Sequence, residues 1–305
     1  MRADDTQMQM GFGLPVSGGW ATPANLRAIA QRAEQLGYAT LWSFQRLFVA
    51  ESQPLPPAYG SVLDPLVPLG FAAAVTERVR LGTAIVNMPY QAPVVLAKAL
   101  ASLDVLSDGR LVAGLGLGWS PEEFTAVGVP YERRGARAEE YLAALRALWG
   151  PDPVEHAGEF YTVPRASMLP KPVQQPGPPV LLGGSAPRAL ARAGRLADGW
   201  ISSSRENPET IGESVEAVRA GAREAGRDPA TLEFVCRGVI LDAPRTRPLT
   251  GSLDEIRSDL PALAAQGVTE TFVDLNFDPT VGNPDVPPET AMRRAHEVLE
   301  ALAPW

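Results

Sequence analysis

The residues best suited to hold a ligand form a turn, Leu182-Gly183-Gly184-Ser185-Ala186-Pro187, between an apolar run and a helical pattern. Two glycines let backbone N–H groups approach a bound group closely, Ser185 can cap the helix, and Pro187 pre-sets its first turn. A helix N-terminus built this way offers free N–H groups and the positive end of its dipole, which suits a phosphate. A tight turn with an ordinary cap accounts for the same residues equally well. A second cluster, Gly114-Leu115-Gly116-Leu117-Gly118-Trp119, ends another apolar run. Its glycines permit backbone contact with a flat or anionic group, and Trp119 offers an aromatic face. The spacing departs from G-x-G-x-x-G, so a dinucleotide fingerprint fails; small residues packing inside a barrel are the alternative. The segment Leu81–Asn87 reads as a buried strand, the charges from Glu122 to Arg137 as mostly surface ion pairing, and Cys236 as core.

Other chemistries lack their residues. The chain has two histidines, His156 and His296, far apart and with no cysteine or histidine nearby, so no metal site is expected. Neither a G-x-S-x-G elbow nor a GxxxxGK[ST] loop occurs. One cysteine excludes an internal disulfide framework, and a net charge of −8 with scattered basic residues argues against nucleic acid. No apolar run reaches the roughly 20 residues of a membrane span, and the N-terminal MRADDTQMQM lacks a signal-peptide core. A cytoplasmic protein acting on a small molecule is expected.

The elements that must position these residues alternate strand and helix from end to end. Strands are expected at 8–13, 39–42, 79–85, 110–115, 179–182, 199–202, 232–241 and 271–275, each followed by a helical pattern. The first helix shows the signals plainly: Thr22 as cap, Pro23 in the first position, Leu26, Ile29, Ala33 and Leu36 on one face, and Gly37 past the end. A proline-rich insertion, 151–178, holds a hairpin-like GEFYTV excursion. Eight units without a break in composition predict an α/β fold, one (β/α)8 barrel domain over 1–305; an open doubly wound sheet is the alternative. The long connections follow strands two, four, seven and eight, which places the site at the strand C-termini, with the loops 45–63, 242–252 and 276–288 expected to shape its pocket.

In this order, RLGTAIVNMP (80–89), LSDGRLVAGLGLGWSPEEFTAVGVPYERRGAR (106–137), LPKPVQQPGPPVLLGG (169–184) and RLADGW (195–200) resemble the luciferase-like monooxygenase superfamily. The likeness is to its branch of oxidoreductases that use the deazaflavin coenzyme F420. It implies a cis peptide at Ala84–Ile85, forming a bulge behind the cofactor ring. It also implies that Gln45, Asn87, Leu117, Gly118 and Glu122 lie against the cofactor. Gly183, Gly184, Ser185, Ala186 and Pro187 would form its phosphate turn, where the residue-level reading agrees.

The departures shape the functional expectation. Where related F420-dependent dehydrogenases have an acidic residue followed by histidine, this chain has Gln45-Arg46, and Trp119 stands at the place of a proton-transferring glutamate. Arg46 cannot serve as a base at neutral pH, but it can hold an anion. Arg46 and Trp119 are therefore expected to face a small substrate. Without a histidine base, reduction of an activated double bond is expected, with hydride exchanged with F420. An FMN-dependent monooxygenase and a non-catalytic flavin-binding protein are the alternatives, and a homodimer is the assembly to test for.

Overall fold

A computed structural model describes residues 8–241 and 244–304. The first seven residues of the N-terminal decapeptide, and Asp242 in the loop expected to shape the site, lie outside the described residues. The chain alternates β1 (Gln9–Gly13), α1 (Pro23–Gln35), β2 (Thr40–Ser43), α2 (Leu66–Ala73), β3 (Arg80–Thr83), its continuation β4 (Val86–Asn87) and α3 (Pro93–Leu106). Next come β5 (Leu111–Gly116), α4 (Pro121–Ala126), α5 (Arg134–Trp149), the strands β6 (Val154–Ala157) and β7 (Thr162–Ala166), then β8 (Val180–Gly183) and α6 (Pro187–Leu196). The chain finishes with β9 (Gly199–Ile201), α7 (Ile211–Glu224), β10 (Glu233–Val239), α8 (Leu253–Ala265), β11 (Glu270–Asp274) and α9 (Pro288–Ala301).

The barrel strands run in the order β3-β2-β1-β11-β10-β9-β8-β5, and pairing of β3 with β5 closes the ring. Every pairing in it is parallel. With β3 and β4 counted as one interrupted strand, this is the expected eight-stranded barrel. Closure removes both sheet edges, which an open sheet would leave bare.

Side chains alternate along each strand between two apolar regions. On β10, Phe234 and Cys236 join the layer beneath the helices, whereas Val235 points into the barrel with Trp42, Val112, Leu181, Ile201 and Phe272. Trp42 and Phe272 stack there with ring centroids 5.3 Å apart. Below them Glu270 is buried, accepting hydrogen bonds from Trp42 Nε1 at 2.7 Å and Thr40 Oγ1 at 3.0 Å.

Local signals read from sequence recur in the structure. Thr22 Oγ1 accepts from Asn25 N at 3.2 Å, and α1 buries Leu26, Ile29, Ala30 and Ala33. The 151–178 insertion carries the antiparallel hairpin β6–β7, whose turn is held by Glu140 of α5 accepting the N–H groups of Glu159, Phe160 and Tyr161. Two elements differ from expectation. The third strand is not continuous over 79–85 but breaks after Thr83 and resumes at Val86. The short helix α4, capped by Ser120, also appears inside what reads as a loop.

The break in the third strand has a simple register. Leu81 and Gly82 pair with Leu111 and Val112, whereas Val86 and Asn87 pair with Leu115 and Gly116. Thr83, Ala84 and Ile85 therefore lie opposite only Ala113 and Gly114, one residue in excess, which makes a bulge. Gly114 is what lets it form: a Cβ there would lie 1.7 Å from the Thr83 carbonyl oxygen. Thr83 Oγ1 donates to the Gly114 carbonyl at 2.6 Å, fastening the same spot.

Candidate active site

At the C-terminal ends of the strands a cavity of about 980 Å³ opens. Its wall is made by the loop after β2, the bulge between β3 and β4, the end of β5, the turn after β8, the loop after β9, the first turns of α5 and α6, and Arg237 of β10.

The bulge supplies one face. The Ala84–Ile85 peptide is cis, as the resemblance implied. Ala84 N donates to the Ser43 carbonyl at 2.6 Å, and the Ala84 carbonyl accepts from Arg237 Nη1 at 3.0 Å. Ile85 is packed between two glycine-bearing strands. A Cβ on Gly116 would come within 1.8 Å of Ile85 Cδ1, and one on Gly183 within 3.4 Å of Ile85 Cγ2. Gln45 reaches across so that its Oε1 accepts from Asn87 N at 2.8 Å. The result is a mostly apolar shelf, fixed from both sides, on which a flat ring could rest.

The turn after β8 supplies an anion site. Gly184 has φ of 128°, a conformation that favours glycine, and its carbonyl accepts from Trp200 Nε1 at 2.8 Å. Ala186, not Ser185, is the N-cap of α6, and no side chain caps the helix. Ser185 instead lines the cavity. This corrects the expected cap and has a chemical consequence: first-turn N–H groups are left without a side-chain acceptor and can meet a phosphate. Beyond the turn, Arg188 and Arg192 of α6 and Arg133 and Arg134 near the start of α5 continue the wall. Arg192 is shared with Glu139 at 3.2 Å and Arg133 with Glu159 at 2.5 Å.

On the opposite side Arg46 is buried, with 6% of its surface exposed. Its Nη1 lies 3.3 Å from Glu123 Oε2, and Nη2 donates to Gln53 Oε1 at 2.9 Å. The guanidinium carbon sits 4.6 Å from the Trp119 ring centroid and 5.3 Å from that of Tyr59. Glu123 also accepts from Leu47 N at 2.8 Å and Tyr90 Oη at 2.9 Å. Burial first, then the Glu123 charge, pushes the Tyr90 hydroxyl well above its ordinary range, so Tyr90 stays a proton-bearing donor to that carboxylate. Trp119 is half-exposed and spans to the loop after β9, where Arg205 lies 5.7 Å from its centroid.

Most expected residues meet at this cavity: Gln45, Arg46, Ala84, Ile85, Asn87, Leu117, Gly118, Trp119, Gly183, Gly184, Ser185 and Ala186 all line it. Glu122 and Pro187 are not part of the wall. Glu122 turns to its own helix start, accepting from Ser120 Oγ at 2.8 Å and from Gln53 Nε2, and so ties the loop after β2 to α4. Pro187 occupies the first position of α6, behind the turn. Of three loops expected to shape the cavity, 45–63 contributes Gln45, Arg46 and Tyr59, whereas the described residues of 242–252 and 276–288 contribute none.

Sequence reasoning missed Arg237. Its Nε donates to Asp274 Oδ2 at 2.7 Å, and its guanidinium lies 4.8 Å from the Phe44 centroid and 4.7 Å from that of Phe277. The available signal was a lone arginine in the otherwise apolar strand FVCRGV. The 202–207 loop and Arg188 carried no signal of that kind.

The chain is similar to several known proteins. An uncharacterized protein of Mycobacterium tuberculosis is 37% identical over 233 residues, 72% of this chain and 80% of that one. An F420-dependent hydroxymycolic acid dehydrogenase of the same organism is 31% identical over 210 residues, 68% of this chain and 56% of that one. An FMNH2-dependent dimethylsulfone monooxygenase of Pseudomonas putida is 34% identical over 156 residues, 50% and 42% of the two chains. Among solved structures, the monooxygenase RslO1 from Streptomyces bottropensis superposes with a TM-score of 0.78 at 24% identity, covering 97% of this chain and 98% of that one. Relatives therefore include both F420- and FMN-dependent oxidoreductases. Matched over residues 4–245 by the sequence model of that family, the chain belongs to the luciferase-like monooxygenase family.

Proposed function

We propose that the protein binds F420 and transfers hydride from the reduced deazaflavin to a small organic substrate. The carrying observation is the length of the cationic wall. The uncapped α6 N-terminus is large enough for one phosphate, yet Arg188 and Arg134, neither paired with a carboxylate among the described residues, carry the wall past it, beside Arg192 and Arg133, which are shared with Glu139 and Glu159. FMN ends at one phosphate monoester, whereas F420 continues into a phosphodiester with carboxylates, which such a wall would meet. The Ile85 shelf fits a flat ring at the other end.

When bound, the deazaflavin supplies a two-electron hydride and reacts poorly with oxygen. The chain's own residues orient and shield it: Gln45 holds Asn87, Arg237 holds the Ala84 carbonyl, and Gly183 and Gly184 present backbone amides. His156 lies in the β6–β7 hairpin and His296 on α9, so neither is a residue of the cavity wall to take a proton from an alcohol. The absence of histidine from the described wall supports the reductive reading.

Equilibrium titration of the purified protein with F420 and with FMN, read by fluorescence, tests the assignment. Micromolar or tighter F420 binding with weaker FMN binding is expected. Tight FMN binding without F420 binding would overturn it in favour of a flavin monooxygenase. F420 binding with no consumption of the reduced form by any unsaturated compound would leave a binding protein.

A further inference from the structure

We propose that the substrate is a neutral conjugated aldehyde or ketone carrying an aromatic ring, and that Tyr59 holds its carbonyl oxygen and gives it the proton that completes reduction. This rests on the reductase reading above.

Neutrality comes from how charges are spent on the substrate side. Arg46 is buried against Glu123, with their side chains 3% and 2% exposed, and Arg237 against Asp274, with theirs 8% and 1% exposed. A carboxylate brought to either guanidinium would also meet the carboxylate already there. The wall between them is aromatic: Phe44, Tyr59 and Trp119 line the cavity, and Phe277 packs behind Phe44 and Tyr59 at 5.4 and 5.2 Å. A flat neutral ring stacks well in such surroundings.

Tyr59 is singled out by its place in the wall and its acidity. The hydroxyl-bearing residues of the cavity wall are Tyr59, Ser185, Ser202, Ser203 and Ser204. The serines belong to the turn after β8 and the loop after β9, on the anion side. Ser202 Oγ already accepts from Arg237 N at 2.8 Å and Ser203 Oγ from Arg205 N at 3.3 Å. Tyr59 stands on the β2 side, with its ring held by Phe277, by Phe44 at 6.3 Å and by the Arg46 guanidinium at 5.3 Å. Its hydroxyl makes no hydrogen bond among the described residues. A phenol is a stronger acid than a serine hydroxyl.

The chemistry balances. Hydride with its electron pair, taken from the reduced deazaflavin, bonds to the β-carbon of the conjugated substrate, and the displaced π pairs move to leave an enolate. The Tyr59 O–H proton bonds to the enolate oxygen, the proton released as the cofactor is oxidised returns to the phenolate through water, and the enol tautomerises to the saturated carbonyl.

The test uses protein loaded with oxidised F420 and trans-cinnamaldehyde carrying 13C at its carbonyl, observed by isotope-edited infrared difference spectroscopy. The carbonyl band of the bound probe is expected at lower wavenumber in the native protein than in Tyr59→Phe, which keeps the ring and its packing. With reduced F420, Tyr59→Phe should lower kcat about 100-fold while KM and the F420 Kd stay within about twofold. trans-Cinnamate should bind at least about tenfold more weakly than the aldehyde. An unchanged carbonyl band, or kcat kept within about twofold, overturns the role of Tyr59 alone. Equal or tighter binding of cinnamate overturns the neutral substrate. Failure to bind F420 overturns the reductase reading itself, and F420 binding without consumption of cinnamaldehyde overturns the substrate class.

Discussion

Arg237 Nη1 donates to the carbonyl of Ala84 at 3.0 Å while its Nε donates to Asp274 at 2.7 Å, so one guanidinium joins the bulge of the third strand to the end of the eighth. Asp274 is further held by Asn276, whose backbone N–H and Nδ2 both donate to Oδ1. The back wall of the cavity is thus braced from across the barrel.

Replacing Arg237 by methionine leaves Asp274 buried with its cation gone. Losing one partner of a buried pair costs about 3 kcal/mol or more. Urea denaturation should show that loss, and F420 binding should weaken with it because the Ala84 carbonyl loses its donor.

Two glycines of β5 should respond differently to alanine. At Gly114 the new methyl meets the Thr83 backbone oxygen at 1.7 Å, and a destabilisation above about 3 kcal/mol is expected. At Gly116 it meets the far end of the Ile85 side chain at 1.8 Å, which can swing away. That variant should fold and melt near the native temperature, yet bind F420 about tenfold more weakly because the shelf has moved.

The carboxyl of Glu270 gives a pH dependence. Burial, opposed in part by the hydrogen bond from Trp42, pushes it above its ordinary value of 4.5. The folded chain therefore holds this proton more tightly than the unfolded chain. The group's contribution is fully present below about 4.5 and is lost as pH rises through the higher folded value. Glu270→Gln removes the titration, so its stability relative to the native protein should rise between about pH 5 and about pH 8. Urea midpoints at the two pH values measure this, and a constant difference between the proteins would refute it.

Charge reversal at the exposed Arg188 should spare the fold and weaken anion binding. Arg188→Glu is expected to raise the F420 Kd about fivefold, with the effect shrinking as salt is added. A loss for F420 that exceeds the loss for FMN would fit a tail longer than one phosphate.

The barrel was legible in the sequence because its signals are local. Thr22-Pro23, Pro93, Pro187 and Ser252 mark helix starts by capping chemistry or fixed φ, and Gly37, Gly109 and Gly267 mark ends by positive φ. The residues missed depend on which strands become neighbours. Arg237 pairs with Asp274 and Ala84 only because β11 lies beside β10 and β3 faces it across the barrel. Tyr59 lies within 45–63, where no local signal marks it out for the cavity wall. Ser185 was misread as a cap although the helix start at Pro187 was read correctly, because with Pro187 in the first position the cap falls on Ala186, which has no side-chain acceptor. Arg46 lies in the cavity wall, but its pairing with Glu123, 77 residues away, was not visible in the sequence.

Ring closure also governs how the chain can be made. β1 takes its second neighbour from β11, Gln9 pairing with Glu270 and Phe12 with Val273. During synthesis from the N-terminus, the first strand must therefore wait, flanked on one side, until Glu270 to Asp274 have left the ribosome. Loop closure over that span is slow, and meanwhile β1 presents a bare edge to any passing chain.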